Sequence, residues 1–558
     1  MAASDSGPGG INPSQRSATS ASVVIVLSGG RLRAWEHLCL TALADSGAAK
    51  ITGIVSAPEP RTSFYRAFRD GCLAGLALIR AMRRPPAALA DVGLNVMPDD
   101  VPVLDGSVLA KGSFDSAAVT FVAGLSPSLV LIFGVCTPAL KSRLAAHAKW
   151  GSWSFHFGET HNDLPEVATL DAMIQQSAVI CATLKMTIGD VDRVLHCGAT
   201  KVFQSRPLKT VNDLCFAIST WARRACQDIN GNGFLESRFP EVEKTKKLEI
   251  TRRPSSIRLV SSVVLGSIRT QVRYKLFHQQ WNVGMVQAPI AVVAGLEGSK
   301  AQKDSLNGTL WMREQRGSFF ADPFGYEIST GTIRILFELF DWRQGKGVIA
   351  ARSFSHSSYG EIVRILEAPT HLSYPYIAKF QGQRIYVPEH SAGRDVSAFF
   401  LDENGNTRSK KTLLPRVELI DCTFIDWAGK TWMFALDDGC RTDNTELNLY
   451  FADRLDGAWR AHPMNPIKTD VRSSRPGGTP FTHEGKLFRP GQDCSTHYGR
   501  GLIINEVLEL SETAYLERAV SIVGPPQESI YSDGLHTISE VGGVTLIDGA
   551  RKQIKFSS

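Results

Sequence analysis

The sequence predicts two folded domains, an α/β domain followed by an all-β five-bladed β-propeller. Two observations carry this prediction. Up to about residue 227, short apolar runs alternate with helical patterns, as in a parallel sheet with helices on both faces. From residue 281 onward, a pattern of two strands around a glycine turn occurs five times. Its interval of roughly 50 residues is typical of propeller blades.

The clearest copy of this repeat is residues 318–338, SFFADPFGYEISTGTIRILFE, in which two apolar runs flank a glycine turn. The first run carries Asp322 before a proline, and we expect the proline to hold Asp322 in an extended conformation. The second run ends on Glu338. The other copies are residues 371–389, 420–436, 475–493 and 536–548.

The ends of the propeller are predicted to meet. Residues 281–286 and 288–294 form two more predicted strands before the first complete blade. We expect them to pair with strands from the end of the chain, because closing the ring removes exposed strand edges. The first strand of each blade lines the channel of a propeller, so the polar residues at the strand starts should converge there.

Composition limits the classes of protein and partner. The 558 residues carry 61 basic and 55 acidic side chains, a net charge of +6 that argues neither for nor against nucleic acid. We expect no nucleic-acid partner. The ten cysteines include no Cys-x-x-Cys pair, so we expect neither a metal site nor a disulfide framework, and a reduced cytoplasmic location. Since no run of about 18 apolar residues occurs, we expect no transmembrane helix.

The chain divides into four predicted segments. They are a disordered tail at 1–22, the α/β domain at 23–227, a linker with a basic amphipathic helix at 228–280, and the propeller at 281–558. In the α/β domain we expect a basic helix at 66–84 and a closing helix at 211–227. The basic helix at 255–280 either lies on anionic lipid, as a peripheral membrane contact, or packs on a neighbouring domain.

Residues 125–159, LSPSLVLIFGVCTPALKSRLAAHAKWGSWSFHFGE, hold an apolar strand, a glycine, a helix and a strand with His156. This run resembles the core of the methionyl-tRNA formyltransferase fold, which implies a formyltransferase-like first domain. The resemblance places the family's catalytic His at His156, its Asp at Asp192 and its Asn at Ser154. It also implies formyl-tetrahydrofolate as a cofactor. Because Ser154 lacks the amide donor, we expect weak or absent formyl transfer. A structural histidine in an inactive domain is the alternative.

Polar residues at the starts and ends of the blade strands form the candidate site of the propeller. Several carboxylates and two arginines in one channel suit sugar hydroxyls, phosphates or a glycosidic bond. Neighbouring carboxyl groups there can split their pKa values into one base and one acid. A water-filled, salt-bridged channel is the alternative. The residues are Asp322, Glu338, Tyr374, Glu389, Asp421, Arg475, Arg489, Gln492, Asp493, Tyr498, His536 and Asp548.

Residues 281–551 resemble the N-terminal region of plant glucosamine inositolphosphorylceramide transferases, and also bacterial proteins that place a formyltransferase-like domain in front. The resemblance rests on ADPFGYE, HLSYPYI, YVPE, DCTFID, LNLYFADRLDGAWRAHPMNPI, RPGG, LFRPGQDCSTHYG and HTISEVGG.

More distantly, the propeller looks like that of arabinanase-like glycoside hydrolases. Those enzymes use an Asp base, a second Asp that tunes a pKa, and a Glu acid. The resemblance implies Asp322 as the base and Asp421 as the tuning residue. Glu389 is the candidate acid, although it lies in blade two, where those hydrolases do not usually keep theirs. The residues expected to bind substrate are Tyr374, Arg475, Arg489, Gln492, Asp493, Tyr498 and His536.

Three functions remain open on the sequence. The first is a carbohydrate-active enzyme that transfers or hydrolyses a glycosidic bond of a sugar, sugar nucleotide or glycoconjugate at the propeller channel. The second is an N-formyl or acyl transferase that acts on an amino sugar in the first domain. The third is a non-catalytic glycan-binding protein. Ser154 counts against the second and the channel acids count against the third, so the sequence favours the first.

Overall fold

The computed structural model covers most of both domains. The predicted tail at 1–22, the basic helix at 66–84 and the segment at 228–280 fall mainly outside the described residues, so their structure stays a prediction. In the described part of the chain, no helix is both long and apolar enough to cross a membrane. The described residues are 20–58, 86–109, 113–159, 162–232, 265–266, 268, 272, 275–355 and 358–554.

A seven-stranded sheet organises the first domain, with the strand order β3-β2-β1-β4-β5-β6-β7. Neighbours from β3 to β5 pair in parallel, and β6 and β7 are antiparallel. The strands are β1 (Ala21–Ser28), β2 (Ala49–Ala57), β3 (Val103–Asp105), β4 (Leu129–Phe133), β5 (Ser152–Phe157), β6 (Val179–Ile188) and β7 (Val191–Lys201). The helices are α1 (Ala34–Asp45), α2 (Phe114–Leu125), α3 (Pro138–Ala145), α4 (Pro165–Ile174), α5 (Pro207–Ile218) and α6 (Trp221–Asn232).

Helices cover both faces of this sheet. Every residue of β4 is buried, because alternate side chains enter two different cores. One core holds Leu131 with the residues of α1, α4, α5 and α6, and the other holds Val130 with those of α2 and α3. The predicted closing helix at 211–227 is in fact two helices, and the second ends at Asn232 rather than at residue 227.

Five sheets form the propeller, as the repeat predicts. Blade one is β10 (Ser318–Ser329), β11 (Thr332–Asp341), β12 (Lys346–Ser355) and β13 (Ser358–Leu366). Blade two is β14 (Ser373–Phe380), β15 (Gln383–Glu389), β16 (Asp395–Leu401) and β17 (Thr407–Pro415). Blade three is β18 (Leu419–Trp427), β19 (Lys430–Asp437), β20 (Glu446–Ala452), β21 (Arg460–Ala461) and β22 (Lys468–Thr469). Blade four is β23 (Phe481–His483), β24 (Lys486–Asp493), β25 (Gly501–Leu510) and β26 (Tyr515–Val523).

Blade five combines strands from both ends of the propeller. Its order is β27 (Ile538–Val541), β28 (Val544–Ile554), β8 (Phe277–Val286) and β9 (Leu310–Trp311). Strand β8 pairs with β28 from Phe277↔Ile554 to Val286↔Thr545, which confirms the predicted ring closure. The propeller therefore begins at Phe277, four residues before the predicted boundary at 281.

The predicted strand at 288–294 is wrong. This segment contains α7 (Ile290–Val293), followed by α8 (Ser299–Asn307). Pro289 precedes the first helix, where its missing N–H costs no hydrogen bond. Ile290 and Val293 then lie on one side of the helix turn and pack into the core that blades four and five share.

The first strands of blades one to three carry a bulge at the position of a candidate site residue. Strand pairing is irregular between Ala321 and Phe324, and also at the equivalent points of β14 and β18. The bulged residues have left-handed φ angles, 53° at Asp322, 43° at Tyr374 and 51° at Asp421. Asp322 is thus not extended, as Pro323 led us to expect. The bulge aims its side chain into the channel instead.

The two domains share an interface of main-chain and side-chain contacts. Ala199 of β7 forms a parallel bridge with Asp470, and the Val471 N–H donates to the Ala199 carbonyl at 2.9 Å. The Trp221 indole donates to the Thr469 hydroxyl at 3.2 Å. Arg224, which is buried, donates to the Ile467 carbonyl at 2.7 Å. The α/β domain therefore packs against the end of blade three and the segment that leads from it to blade four.

Candidate active site

A buried histidine between two aspartates lies at the centre of the channel. His536 Nε2 is 3.0 Å from Asp322 Oδ1, and His536 Nδ1 is 3.1 Å from Asp548 Oδ2. Burial alone would lower the histidine pKa, but Asp548 and Asp322 outweigh it and raise the pKa of His536 to about 10. The imidazole is therefore a cation at neutral pH. It in turn holds the pKa of Asp322 below its ordinary value, against the effect of burial.

Asp322 is held by groups from several blades. The Thr537 hydroxyl donates to Asp322 Oδ1 at 2.8 Å, and the Tyr374 N–H donates to Oδ2 at 3.3 Å. The Tyr374 phenol oxygen accepts from the Gly478 N–H at 2.8 Å and lies 2.8 Å from the Thr423 hydroxyl. Tyr374 thus links the first strand of blade two to blades three and four.

A second ion pair lies on the blade-three and blade-four side of the channel. Arg475 Nε donates to Asp421 Oδ2 at 2.6 Å, and Gln492 Nε2 donates to the same oxygen at 2.9 Å. Arg475 Nη1 also donates to the Asn444 amide oxygen at 2.9 Å. Burial raises the pKa of Asp421 above its ordinary value, although Arg475 opposes the rise.

Two glutamates in the cluster have raised pKa values, because burial and neighbouring carboxylates outweigh the nearby Arg475 and His536 cations. Burial, and then the charge of Asp421, raises the pKa of Glu389 to about 8. Ser373 donates to Glu389 Oε2 at 2.8 Å. Burial, and then the charge of Asp322, raises the pKa of Glu338 well above its ordinary value. Glu389 is therefore protonated at neutral pH, and the raised pKa of Glu338 favours its protonated form, which reduces the repulsion among the channel carboxylates.

The cluster opens towards solvent at one rim. The Tyr498 ring lies 4.9 Å from the Arg475 guanidinium and 5.1 Å from the His536 ring, and Tyr498 is 36% exposed. Glu389 and Arg475 are half-buried, whereas Asp322 and Asp421 are buried. A ligand that enters from solvent would therefore meet Tyr498, Arg475 and Glu389 before the buried aspartates.

The Asp322, His536 and Asp548 side chains offer ligand atoms within 4.8 Å of one another, a spacing that a metal ion could use. Each His536 nitrogen, however, already lies at hydrogen-bond distance from a carboxylate oxygen. A doubly protonated imidazole satisfies both carboxylates, so the donor set fits a proton rather than a metal ion.

Two residues predicted to bind substrate lie outside this cluster. Arg489 is fully buried and forms a bidentate pair with Glu517 of β26, at 2.7 and 2.8 Å. Asp493 accepts from Arg500 Nη1 at 2.9 Å and lines a separate cavity of about 380 Å³. The structure brings together the other predicted residues of the propeller, which are Asp322, Glu338, Tyr374, Glu389, Asp421, Arg475, Gln492, Tyr498, His536 and Asp548.

Sequence reasoning missed four residues that contact the predicted site residues, three in the propeller and one in the first domain. Asn444, Ser373 and Thr537 donate to or accept from Arg475, Glu389 and Asp322. They are ordinary polar residues with no distinctive motif. Ser373 directly precedes the predicted Tyr374, and Thr537 directly follows the predicted His536. This adjacency to predicted site residues is the signal by which Ser373 and Thr537 could have been found. The fourth, Asp163, lies in the first domain.

In the first domain, the predicted pairing of His156 with Asp192 is wrong. His156 lies next to the end of β5, and Ser154 Oγ is 2.9 Å from His156 Nε2. Asp192 instead accepts from the Thr187 hydroxyl at 2.7 Å in the β6–β7 hairpin, because it pairs with Thr187 in the sheet. The carboxylate beside His156 is Asp163, whose Oδ1 is 3.1 Å from His156 Nδ1.

Sequence comparison adds to this geometry. Residues 310–529 match the family model described as glucosamine inositolphosphorylceramide transferase 1, N-terminal. The protein of that name from Oryza sativa subsp. japonica is 31% identical over 212 residues, and that from Arabidopsis thaliana is 28% identical over 207. These alignments cover 37% and 36% of this chain but only 28% and 27% of the relatives. The resemblance inferred from the motifs is thus confirmed for the propeller.

Solved glycoside hydrolases show a weaker likeness. A family-43 β-1,3-galactosidase with galactodeoxynojirimycin is 12% identical with a TM-score of 0.29, and the match covers 37% of this chain and 77% of that one. The α-L-arabinanase of Cellvibrio cellulosa with arabinohexaose is 16% identical with a TM-score of 0.28, over 36% and 77%. The assignment of five blades rests on the strand pairing of this chain itself.

Proposed function

We propose that the propeller channel is the active site of a carbohydrate-active enzyme that transfers or hydrolyses a glycosidic bond. Asp322 is the ionised carboxylate that acts as base, and Glu389 is the protonated acid that donates to the leaving oxygen. The observation that carries the proposal is the opposite pKa shift of these two carboxyl groups, lowered at Asp322 and raised to about 8 at Glu389. Groups so separated suit acid–base chemistry.

The other residues of the cluster support these roles of Asp322 as base and Glu389 as acid. Asp421 lies near Glu389 and contributes to its raised pKa, so its role is to keep the acid protonated. Arg475 fixes Asp421 and reaches the rim, where it can also bind a sugar hydroxyl or a phosphate. The exposed ring of Tyr498 offers a face on which a sugar ring can stack.

The substrate class follows from the relatives and the rim. The matched relatives are named glucosamine inositolphosphorylceramide transferase 1. We infer that this site binds a sugar or a glycoconjugate with a polar headgroup. The alternative is a non-catalytic glycan-binding site, and only turnover distinguishes the two.

Asp322→Asn tests the proposal. The purified protein is assayed with a panel of aryl glycosides and nucleotide sugars, and release of the aryl alcohol or nucleotide is measured. Loss of the carboxylate charge should lower turnover by about 10²–10⁴-fold. Sugar binding by calorimetry and the circular dichroism spectrum should be retained.

Glu327→Gln is the matched control, because Glu327 is an exposed carboxylate on the same strand, five residues beyond Asp322. It should leave turnover unchanged. Full activity of Asp322→Asn would place the chemistry elsewhere. Saturable sugar binding with no turnover in any variant, the wild type included, would support the glycan-binding alternative.

A further inference from the structure

Three neighbouring side chains in the α/β domain, Ser154, His156 and Asp163, have the spacing of a nucleophilic triad. Ser154 Oγ is 2.9 Å from His156 Nε2, and His156 Nδ1 is 3.1 Å from Asp163 Oδ1. One nitrogen of the His156 ring therefore lies next to a hydroxyl and the other next to a carboxylate.

The fold explains why the three groups meet. Ser154 and His156 are two residues apart on β5, so both side chains lie on the same face of the sheet. That face is opposite to Trp153 and Phe155, which pack into the core with α1. Asp163 lies just before α4, and this connection brings its carboxylate back over the end of β5.

Two lysines make this site cationic around the serine. Lys141 of α3 donates to Ser154 Oγ at 3.4 Å and lies 3.6 Å from Asp163. Lys185 of β6 is the direct cross-strand partner of Ser154 and is buried. Burial lowers the pKa of His156 below its ordinary value, and the two lysines add to that effect against Asp163. The imidazole is thus neutral at pH 7, as a general base must be.

We propose that Ser154, His156 and Asp163 form a catalytic triad that transfers or hydrolyses a small acyl group carried as an ester, thioester or amide. Ser154 is the nucleophile, His156 the general base, and Asp163 the residue that orients the imidazole. The small acyl class follows from burial, since Ser154 is only 3% exposed and a bulky acyl chain would not reach its hydroxyl.

The reaction has two balanced halves. In the first, Ser154 Oγ bonds to the acyl carbon as its proton passes to His156 Nε2, and the carbonyl electron pair moves onto oxygen. The Lys141 ammonium beside Oγ stabilises that negative charge. The intermediate collapses, the bond to the leaving group breaks, and the leaving group takes the proton from His156, so that acyl-Ser154 remains.

In the second half, water or an acceptor hydroxyl or amine gives its proton to His156 Nε2 and bonds to the acyl carbon. Collapse returns the electron pair to Ser154 Oγ, which regains the proton from His156. The net change is hydrolysis or transfer of the acyl group, with no oxidation or reduction. This chemistry needs no amide at position 154, unlike the formyl transfer that the resemblance implied.

A fluorophosphonate probe tests the triad in the full-length protein. The probe bonds to an activated serine with loss of fluoride, and mass spectrometry of the peptides locates the adduct. We expect an adduct on Ser154. His156→Gln should slow labelling by about 10²-fold or more, because the general base is lost. The labelling rate should fall at acidic pH, below the ordinary pKa of histidine, since His156 must be neutral and burial lowers its pKa.

Asp163→Asn and Asp192→Asn form the discriminating pair. Asp163→Asn should slow labelling strongly, because the imidazole loses its orienting carboxylate. Asp192→Asn, which changes the hairpin carboxylate bound to Thr187, should label at the wild-type rate. Absence of an adduct on Ser154 in the folded wild type, or equal labelling of His156→Gln, would overturn the proposal whether or not a variant is destabilised.

Discussion

Asp322 and Glu389 are two carboxyl groups of one cluster that face different charges. Asp322 Oδ1 lies 3.0 Å from the His536 cation, whereas burial and the charge of Asp421 outweigh the Arg475 cation at Glu389. Removing a carboxylate from water disfavours its charged form unless a cation or donors compensate. The difference in protonation therefore follows from the His536 cation beside Asp322 and from the burial of Glu389 near the charge of Asp421.

The raised pKa of Glu389 predicts an alkaline limit to activity. A group whose folded-state pKa lies above 4.5 keeps its proton up to that pKa and loses it as the pH rises through about 8. Turnover should therefore fall about tenfold per pH unit above about 8, as measured by a pH–rate profile of kcat/KM. Glu389→Gln should abolish this limb and lower the rate for poor leaving groups far more than for dinitrophenyl glycosides.

Ser373→Ala is the matched control for this limb. The Ser373 hydroxyl donates to Glu389 and lowers its pKa, so its removal should move the alkaline limb to higher pH. A limb that stays in place in both variants would show that another group controls it.

The sequence alone predicts which strands carry the site but not which side of a strand faces it. Arg489 and Asp493 are four residues apart on β24 and so share one face, while Gln492 lies on the other. Of these three residues, Gln492 binds Asp421. The prediction that all three lie in one site was wrong because residues on opposite faces of one strand cannot all face the same site. Asp163 was missed for a different reason, because its contact with His156 depends on the path of a connection rather than on a strand pattern.

At the scale of elements, period and turn residues were enough to predict five hairpins and the closed ring. The bulges in the first strands were not predicted, because Pro323 suggested an extended Asp322. The contacts that Asp322 and Tyr374 make with other blades override the local preference for an extended backbone before Pro323. A left-handed conformation at a non-glycine residue costs about 1–3 kcal/mol and is retained where surrounding contacts hold it.

The contact between blades four and five predicts a strict need for glycine at position 478. Gly478 has a φ of 126°, and an added Cβ would lie 1.8 Å from the Ile538 carbonyl oxygen. Gly478 also forms a parallel bridge with Ile538 and donates to Tyr374. Gly478→Ala should therefore lower the free energy of unfolding by about 3 kcal/mol or more, measured as a lower urea midpoint.

Gly524→Ala is the control for backbone entropy. An added Cβ there meets no atom within 4 Å, and Gly524 has no left-handed φ angle. Its effect should lie within about 1 kcal/mol. Equal midpoints for the two variants would mean that the contact at Gly478 tolerates a methyl group.

At the scale of the whole molecule, the domain interface lies beside the turn that leads to Arg475. Asp470 bridges to Ala199 of the α/β domain, and its main-chain oxygen accepts from the Ser474 N–H at 2.9 Å. Arg472 binds the Asp470 carboxylate from within the same turn. Docking of the first domain therefore helps to fix the segment from which Arg475 reaches Asp421.

Gly198→Ala should uncouple the two domains. An added Cβ at Gly198 would lie 1.9 Å from the Thr469 carbonyl oxygen, so the main chains cannot stay in contact. We expect the wild type to unfold in a single transition and Gly198→Ala to unfold in two, as followed by calorimetry. We also expect weaker sugar binding, because the turn before Arg475 loses its support. Gly231→Ala, on α6 and with no atom within 4 Å of an added Cβ, should show neither change. If Gly198→Ala kept both one transition and wild-type sugar affinity, the interface would not support the propeller site.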